Sequence, residues 1–360
     1  MSSEYSSNDR ETLSPRDGGT WAEFGVYKVV EGVYRVPLSL PLDSLRAVNV
    51  YVIVGESSVS LIDSGAATAQ SWKQLGQALS TIGVELGDID RVLATHIHYD
   101  HYGQATRLRH SAGAFVFLGA GERASLERIV YNRESLRPGM ERILREHGAA
   151  DLLGAMKQLT IGAASEGFEM PDEYLGERVI DLGGRSVEAV HTPGHTSGHM
   201  NFYDRANGLL FAGDHVLPHI TPSIGHELEG SDLPLQDFLD SLARVRNLPT
   251  EKVLPAHGPV FEDLPGRVDE LLRHHEHRLA AALEIVGVRE MTSYDVSKEL
   301  PWTRREVRFS TLDTLNRYLA VGETAAHLDL LVSRGDLSRR CVDGVNVYGP
   351  PASVHGSDGR

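Results

Sequence analysis

Arg91-Val92-Leu93-Ala94-Thr95-His96-Ile97-His98-Tyr99-Asp100-His101-Tyr102-Gly103 is the stretch on which the reading of this chain turns. Residues 91–94 form a short apolar run of strand type, and Gly103 to Leu108 begin a helix. Between them, three imidazoles and one carboxylate fill positions 96–101. A polar cluster on the loop at the carboxyl end of a strand is where open α/β sheets place their chemistry. Imidazole nitrogen and carboxylate oxygen suit zinc and similar divalent ions. The H-x-H-x-D-H spacing serves two ions, with His96 and His98 facing one and Asp100 and His101 facing a neighbour. The bland alternative is a polar loop that happens to hold three histidines. The scarcity of histidine and the flanking strand and helix count against it.

Working outward, residues 24–36 alternate apolar and polar, as in an antiparallel strand with a turn. Ala47 to Val54 is rich in β-branched residues and reads as a buried strand. Ser58 to Ile62 follows, and Asp63 ends it, either as a turn or cap residue or as a carboxylate that accepts a ligand histidine's free N–H. Ala69 to Ile82 is an amphipathic helix carrying Trp72, Leu75 and Leu79 on one face. Downstream, Ala114 to Leu118 is a strand. Residues 122–131, 139–147 and 149–159 are helical in pattern, and 162–171 reads as loop. Strands follow at 177–181, 186–191, 199–204 and 209–213, then a helix over 232–247 and a short strand at 253–255. Strands alternating with helices predict an α/β layered fold. After Pro265 come a long helix (268–286), a short one (293–299), another long one (312–334) and a hairpin turning at Asp343-Gly344.

Five segments, in order, resemble the signature of the metallo-β-lactamase superfamily. They are Leu61-Ile62-Asp63-Ser64-Gly65, the histidine cluster itself, His191-Thr192-Pro193-Gly194-His195-Thr196, Phe211-Ala212-Gly213-Asp214 and Pro255-Ala256-His257-Gly258. The resemblance covers about residues 25–262. It implies an αββα metallo-β-lactamase sandwich. It assigns His96, His98 and His195 to a first metal, Asp100, His101 and His257 to a second, and Asp214 to a bridge between them. It also favours the supporting role for Asp63. Two divalent ions are implied, zinc first, with iron or manganese as alternatives. Such a pair activates a bridging hydroxide as the attacking species, with Asp100 as ligand and candidate proton acceptor. The terminal helices and hairpin resemble a winged-helix domain of the lactamase-β-2-like branch, on the residues Gly322-Glu323-Thr324-Ala325-Ala326-His327-Leu328.

The expected organisation is therefore a disordered arm (1–20), a catalytic domain (21–264) with a helical lid-like insertion (121–172), a small C-terminal winged-helix-like domain (265–350) and a tail (351–360). The composition, 41% hydrophobic and 24% charged, is that of an ordinary globular chain. A polar start without an apolar segment argues against a secretory signal, no run is long enough to cross a bilayer, and the single Cys341 fits a reducing cytosol. A cytoplasmic location and no membrane partner are expected. Of the net charge of −15, residues 265–360 contribute little, with 13 Lys and Arg against 14 Asp and Glu; the rest holds 22 against 36. Acidic surfaces repel phosphate backbones, so nucleic acid is a poor default partner. The C-terminal unit reads equally as a lid support or a dimerisation module, which leaves a homodimer open.

Among the remaining histidines, His191 reads as a supporting or strand residue. His199, His215, His219 and His226 are candidate proton donors, each more simply a hydrogen-bonded structural residue; His219, with Tyr99 and Tyr102, is placed on the substrate side. His274, His275 and His277 read as a solvated or interface face. The reaction expected is hydrolysis of an acyl bond, first a thioester of coenzyme A, a carrier protein or a related thiol. A lactonase or esterase is the near alternative, and a lactamase-β-2-like endoribonuclease the alternative of another class. β-Lactam cleavage is disfavoured because those enzymes mostly place a cysteine at the second metal. Nothing in the chain resembles a flavin-binding segment.

Overall fold

The structure, a computed structural model, describes residues 20–40, 45–131, 136–157, 167–225, 227, 229–303 and 306–351. The expected N-terminal arm, most of the tail, part of the insertion and His226 lie outside the described residues.

The first half of the chain builds one sheet in sequence order. Its strands are β1 (Tyr27–Val30), β2 (Val33–Ser39), β3 (Ala47–Val54), β4 (Val59–Ile62), β5 (Ile89–Leu93), β6 (Phe115–Gly119) and β7 (Glu173–Leu175). Pairing is antiparallel from β1 to β4 and parallel from β4 to β7. The parallel steps are crossed by α1 (Ala69–Thr81), by α2 (Tyr99–Tyr102) with α3 (Ala105–Ala112), and by the insertion, which holds α4 (Arg123–Tyr131), α5 (Leu136–Glu146) and α6 (Leu153–Met156). The second sheet runs in the order β12-β11-β10-β9-β8, from β8 (Arg178–Asp181), β9 (Ser186–His191), β10 (Met200–Asp204), β11 (Leu209–Gly213) and β12 (Lys252–Pro255). Helix α7 (Pro234–Val245) makes the crossover between the parallel pair β11 and β12.

Alternation along the strands separates three apolar layers. Val48, Val50 and Val52 of β3, with Val92 and Val116, pack under Leu75, Leu79 and Leu108 of α1 and α3. The opposite faces, Tyr51, Ile53, Leu93 and Phe117, meet Phe202, Leu209, Phe211 and Leu254 of the second sheet. That sheet's outer face, Tyr203, Leu210, Ala212 and Val253, packs under Phe238 and Leu242 of α7. The result is helix, sheet, sheet, helix: the αββα sandwich.

Beyond the sandwich come α8 (Leu264–Val286), α9 (Ser293–Glu299), α10 (Thr314–Arg334) and a hairpin of β13 (Ser338–Val342) and β14 (Val345–Gly349). Helix α8 begins four residues before the expected Val268 because the Asp263 carboxylate caps it, accepting from Gly266 N–H at 2.9 Å. Asp313 does the same for α10. Met291 bridges to Tyr348 of β14. Val268, Leu271, Leu328 and Leu331 belong to the same apolar cluster as α7 and as Leu144 and Leu152 of the insertion. Three-residue β7 has no apolar alternation to announce it, and helix in 149–159 narrows to α6, with 158 onward outside the described residues. Among the described residues no helix is long and apolar enough to cross a membrane.

Candidate metal centre

Strands β4, β5, β9, β11 and β12 deliver their polar ends to one rim. His96 and His98 follow β5, and Asp100 and His101 lie in the single turn of α2. His195 follows β9, Asp214 follows β11 and His257 follows β12. All seven converge. His98 Nδ1 lies 2.8 Å from His96 Nε2 and 3.1 Å from His195 Nε2. His257 Nε2 is 3.3 Å from Asp100 Oδ2 and 3.4 Å from Asp214 Oδ1, and His101 Nε2 is 3.6 Å and 3.7 Å from the same two atoms. The other oxygen of Asp214 reaches to 3.5 Å from His195 Nε2, so this carboxylate spans both groups. The donor atoms of His96, His98 and His195 form one compact set and those of Asp100, His101 and His257 another; His96, His101 and Asp214 link them.

The tautomers are set from outside. His195 Nδ1–H donates to Ser223 O and His257 Nδ1–H to Ala47 O, each at 2.8 Å. His101 Nδ1–H donates to Asp63 Oδ2 at 2.8 Å. Thr95 gives both its N–H and its hydroxyl proton to Asp63, leaving the hydroxyl oxygen to accept from His96 Nδ1–H at 3.1 Å. Carbonyl and carboxylate acceptors can only receive protons, so each of these rings keeps its Nδ1 proton outward and turns its Nε2 inward. Asp63, expected as a supporting carboxylate or a turn residue, is both: it stands at φ +61° and receives three donors.

The group fits cations. His101 Nε2, His257 Nε2 and Asp214 Oδ1 are buried without a hydrogen-bond partner among the described residues, an arrangement that is costly unless something else occupies them. Burial alone would lower the His101 imidazole, yet Asp100, Asp63 and Asp214 outweigh it and push it up to about 10. Burial would raise Asp100, but His101 and His257 hold it well below the usual carboxylate range. Burial drives His96 far down, with His101 and His98 adding to the effect. The second set gathers carboxylates around its imidazoles, and in the first burial lowers His96 and His195. That is the donor chemistry of a two-ion site.

Several supports carry no signature in the sequence. Asn49 donates its amide to Pro255 O and Gly258 O at 2.9 and 2.8 Å, and Tyr51 Oη–H to Pro255 O at 2.8 Å, which holds the His257 loop. Buried Arg35 in turn donates to Asn49 Oδ1. Glu122, fully buried, accepts from Thr196 Oγ–H at 2.5 Å, beside the His195 loop. Burial and the Glu227 carboxylate push it up to about 8, which makes it a neutral acid at pH 7. The loop turns at Gly194, φ +133°, where a Cβ would lie 2.4 Å from Phe238 Cα of α7.

The other expected residues divide. Tyr102, placed on the substrate side, is instead 1% exposed: its hydroxyl donates to Glu169 O, and its ring packs edge-on to Phe168, 5.3 Å between centroids. It faces the helical layer because the turn of α2 that aims Asp100 and His101 inward rotates Tyr102 away. Tyr99 and His219 are half-buried near the rim. His199 is a support, accepting from Asp214 N–H at 3.2 Å and meeting Thr192 Oγ1 at 2.9 Å. His215 is buried against Asn201. His191 Nε2–H closes its own loop on Ser197 O. His274 and His277 are exposed, but His275, expected with them, is fully buried against His327 at 3.2 Å.

Residues 43–257 match the family model described as Metallo-beta-lactamase superfamily. Lactamase-like protein aptB of Emericella nidulans is 27% identical over 242 residues, 67% of this chain and 61% of that protein. Atrochrysone carboxyl ACP thioesterase of Passalora fulva is 26% identical over 266 residues, 71% of this chain and 64% of that one. The chain thus spans less than two thirds of either fungal protein. The crystal structure of a metallo-beta-lactamase family protein from Thermus thermophilus superposes with a TM-score of 0.77 at 28% identity, covering 90% of this chain and 100% of the other.

Proposed function

The chain belongs to the metallo-beta-lactamase superfamily, whose members are metal-dependent hydrolases, and from that premise we propose that it holds two divalent ions, zinc first, and hydrolyses an acyl thioester. One observation carries the two-ion reading: four histidines have their outer nitrogens committed to carbonyls, a carboxylate and a hydroxyl, so that their Nε2 atoms face a space where the second set is otherwise unsatisfied. His96, His98 and His195 would hold one ion and Asp100, His101 and His257 the other, with Asp214 shared. When bound, the pair supplies Lewis acidity and a water acidic enough to act as nucleophile near neutral pH.

The chain's own residues do the rest. Asp63, Thr95, Ser223 and Ala47 fix the ring orientations, so little reorganisation accompanies reaction. Asp100, kept ionised by its histidine neighbours, is the candidate proton acceptor as well as a ligand. The buried rim excludes bulk water from all but the half-buried His98 side.

Support for a thioester comes from the likeness to the fungal carrier-protein thioesterase, while the single Cys341, exposed on β13, counts against β-lactam cleavage as the main role. The element order α8, bridge at Met291, α9, α10, hairpin is compatible with the winged-helix-like reading of the C-terminal unit, but its charge is balanced and the catalytic part is acidic, which disfavours extended nucleic acid. The test is a hydrolysis panel on the purified protein: acyl-coenzyme A and carrier-protein thioesters, S-lactoylglutathione, homoserine lactones, a chromogenic cephalosporin and a structured RNA. Thioester turnover that a chelator abolishes and zinc restores is expected. Turnover confined to RNA would overturn the substrate reading, and wild-type turnover in His98→Ala would overturn the site.

A further inference from the structure

The carbonyl that orients His195 belongs to a segment whose position is set from the C-terminal unit. Ser223 O accepts the His195 Nδ1 proton. The next residue, Ile224, is fully buried in the cluster that contains Val321 and Ala326 of α10. The next, Gly225, adopts φ +83° and lies so close to α10 that a Cβ there would stand 2.7 Å from Gly322 O and 2.9 Å from Ala326 Cβ. Two residues further, the Glu227 carboxylate accepts from Ser197 N–H at 2.8 Å and Ser197 Oγ–H at 2.7 Å. Residues 223–225 and Glu227 therefore act as a strap, with Gly225 seated on α10 and Glu227 fastened to the His195 loop.

We propose that α10 is a working part of the metal centre: its Gly322 and Ala326, by seating Gly225, set the Ser223 carbonyl and through it the aim of His195. These are positioning residues; none touches the reacting atoms. A dislodged Ser223 carbonyl leaves the His195 ring free to rotate and to lose its tautomer, and loss of such an outer hydrogen bond weakens ion binding about 10- to 100-fold. Only the ion served by His195 is affected, because His101 and His257 are oriented by Asp63 and Ala47, which belong to the first sheet and its entry.

The inference rests on the reading of His195 as a metal ligand, and the experiment separates the two. Zinc stoichiometry and the two affinities are measured by chelator competition on the full chain, for wild type, Ala326→Leu, Gly225→Ala, His195→Ala and the double variant Ala326→Leu/His195→Ala. Ala326→Leu pushes at the junction from the helix and Gly225→Ala from the strap, so the second carries the measurement if the first does not fold. Expected is a weakening of one ion by about 10-fold or more, the other held as in wild type, and no further loss when Ala326→Leu is added to His195→Ala. Equal weakening of both ions, unchanged affinities in a folded variant, or additive losses in the double variant would overturn the role of α10. If His195→Ala itself binds both ions as wild type does, the site assignment fails first and this inference with it.

Discussion

Asp63 illustrates how a single side chain can carry several demands. Its backbone lies at φ +61°, a region that Asp and Asn enter far more readily than other non-glycine residues. From there its two oxygens take protons from Thr95 and His101. Asp63→Asn preserves the backbone and the shape but removes the charge and one acceptor. The expected outcome is a folded protein, with a thermal unfolding curve close to wild type, in which the ion held by His101 binds 10- to 100-fold more weakly, about the effect of losing an outer-shell partner. Chelator competition measures it; unchanged affinity would mean that the carboxylate is only a turn device. Of the candidate donors, His195, Asp214 and His257 were legible only through the resemblance to the family, while His96, His98, Asp100 and His101 could be read from the chain itself, because ion binding dictates residue type at fixed offsets. Asn49, Glu122 and Arg35 could not. Asn49 and Glu122 act on backbone carbonyls or on a threonine hydroxyl, partners that any sequence supplies, Arg35 acts through Asn49, and their contacts span separations such as that from Asn49 to Pro255, which no local pattern records. Ser223 was hidden more completely, since only its carbonyl is used.

Helices α8 and α10 meet across a buried pair of imidazoles, His275 and His327. Burial pushes His327 down to about 3, outweighing the proton it donates to Glu323 O. An unfolded chain protonates this ring near its ordinary value of 6.5, so below that pH the unfolded state binds a proton that the native state refuses. Its contribution is thus a loss of stability on acidification, about 1.4 kcal/mol per pH unit between roughly 6.5 and 3. His327→Gln removes the titration. Urea unfolding at pH 7, 6 and 5 should show the gap between wild type and variant shrinking as pH falls; parallel curves would show that the ring is not buried neutral. The long helices were readable from apolar periodicity, with ends shifted by their aspartate caps. The inward turn of His275 was not, because three histidines within four positions look alike until the packing of α10 selects one of them.

Three apolar layers hold the sandwich together, and at the rim the sheets are joined by backbone bonds such as Met200 N–H to Thr95 O at 2.8 Å and Asn49 N–H to Ala256 O at 2.7 Å, beside the side-chain bonds of Asn49 and Tyr51 to the His257 loop. Ions held by both sheets would add to them. A ligand that binds only the folded state stabilises it by about 2.7 kcal/mol at a free concentration 100 times its dissociation constant. Chelated protein should therefore melt several degrees lower than the zinc-loaded form and recover on zinc addition, as calorimetry can record. Coincident melting curves would mean that the cavity binds no ion in the native state. An α/β layered fold could be read in advance from strand and helix alternation, and the αββα arrangement from the resemblance to the family, whereas the merging of the insertion, α7 and the C-terminal helices into one apolar cluster could not, since the contacts lie between segments with no shared pattern.

Each ion would draw two donors from residues 96–101 and the remainder from 195, 214 and 257. During synthesis the early donors leave the ribosome with their partners still unmade, and at 5–20 residues per second the wait for His257 lasts on the order of ten to thirty seconds. Until His195 and Asp214 emerge the nascent chain can offer only part of a grip on the first ion, and until His257 only part of a grip on the second. Capture of the full pair then comes late, after translation has passed His257, and its timing marks the moment at which the two halves of the newborn protein first close on each other.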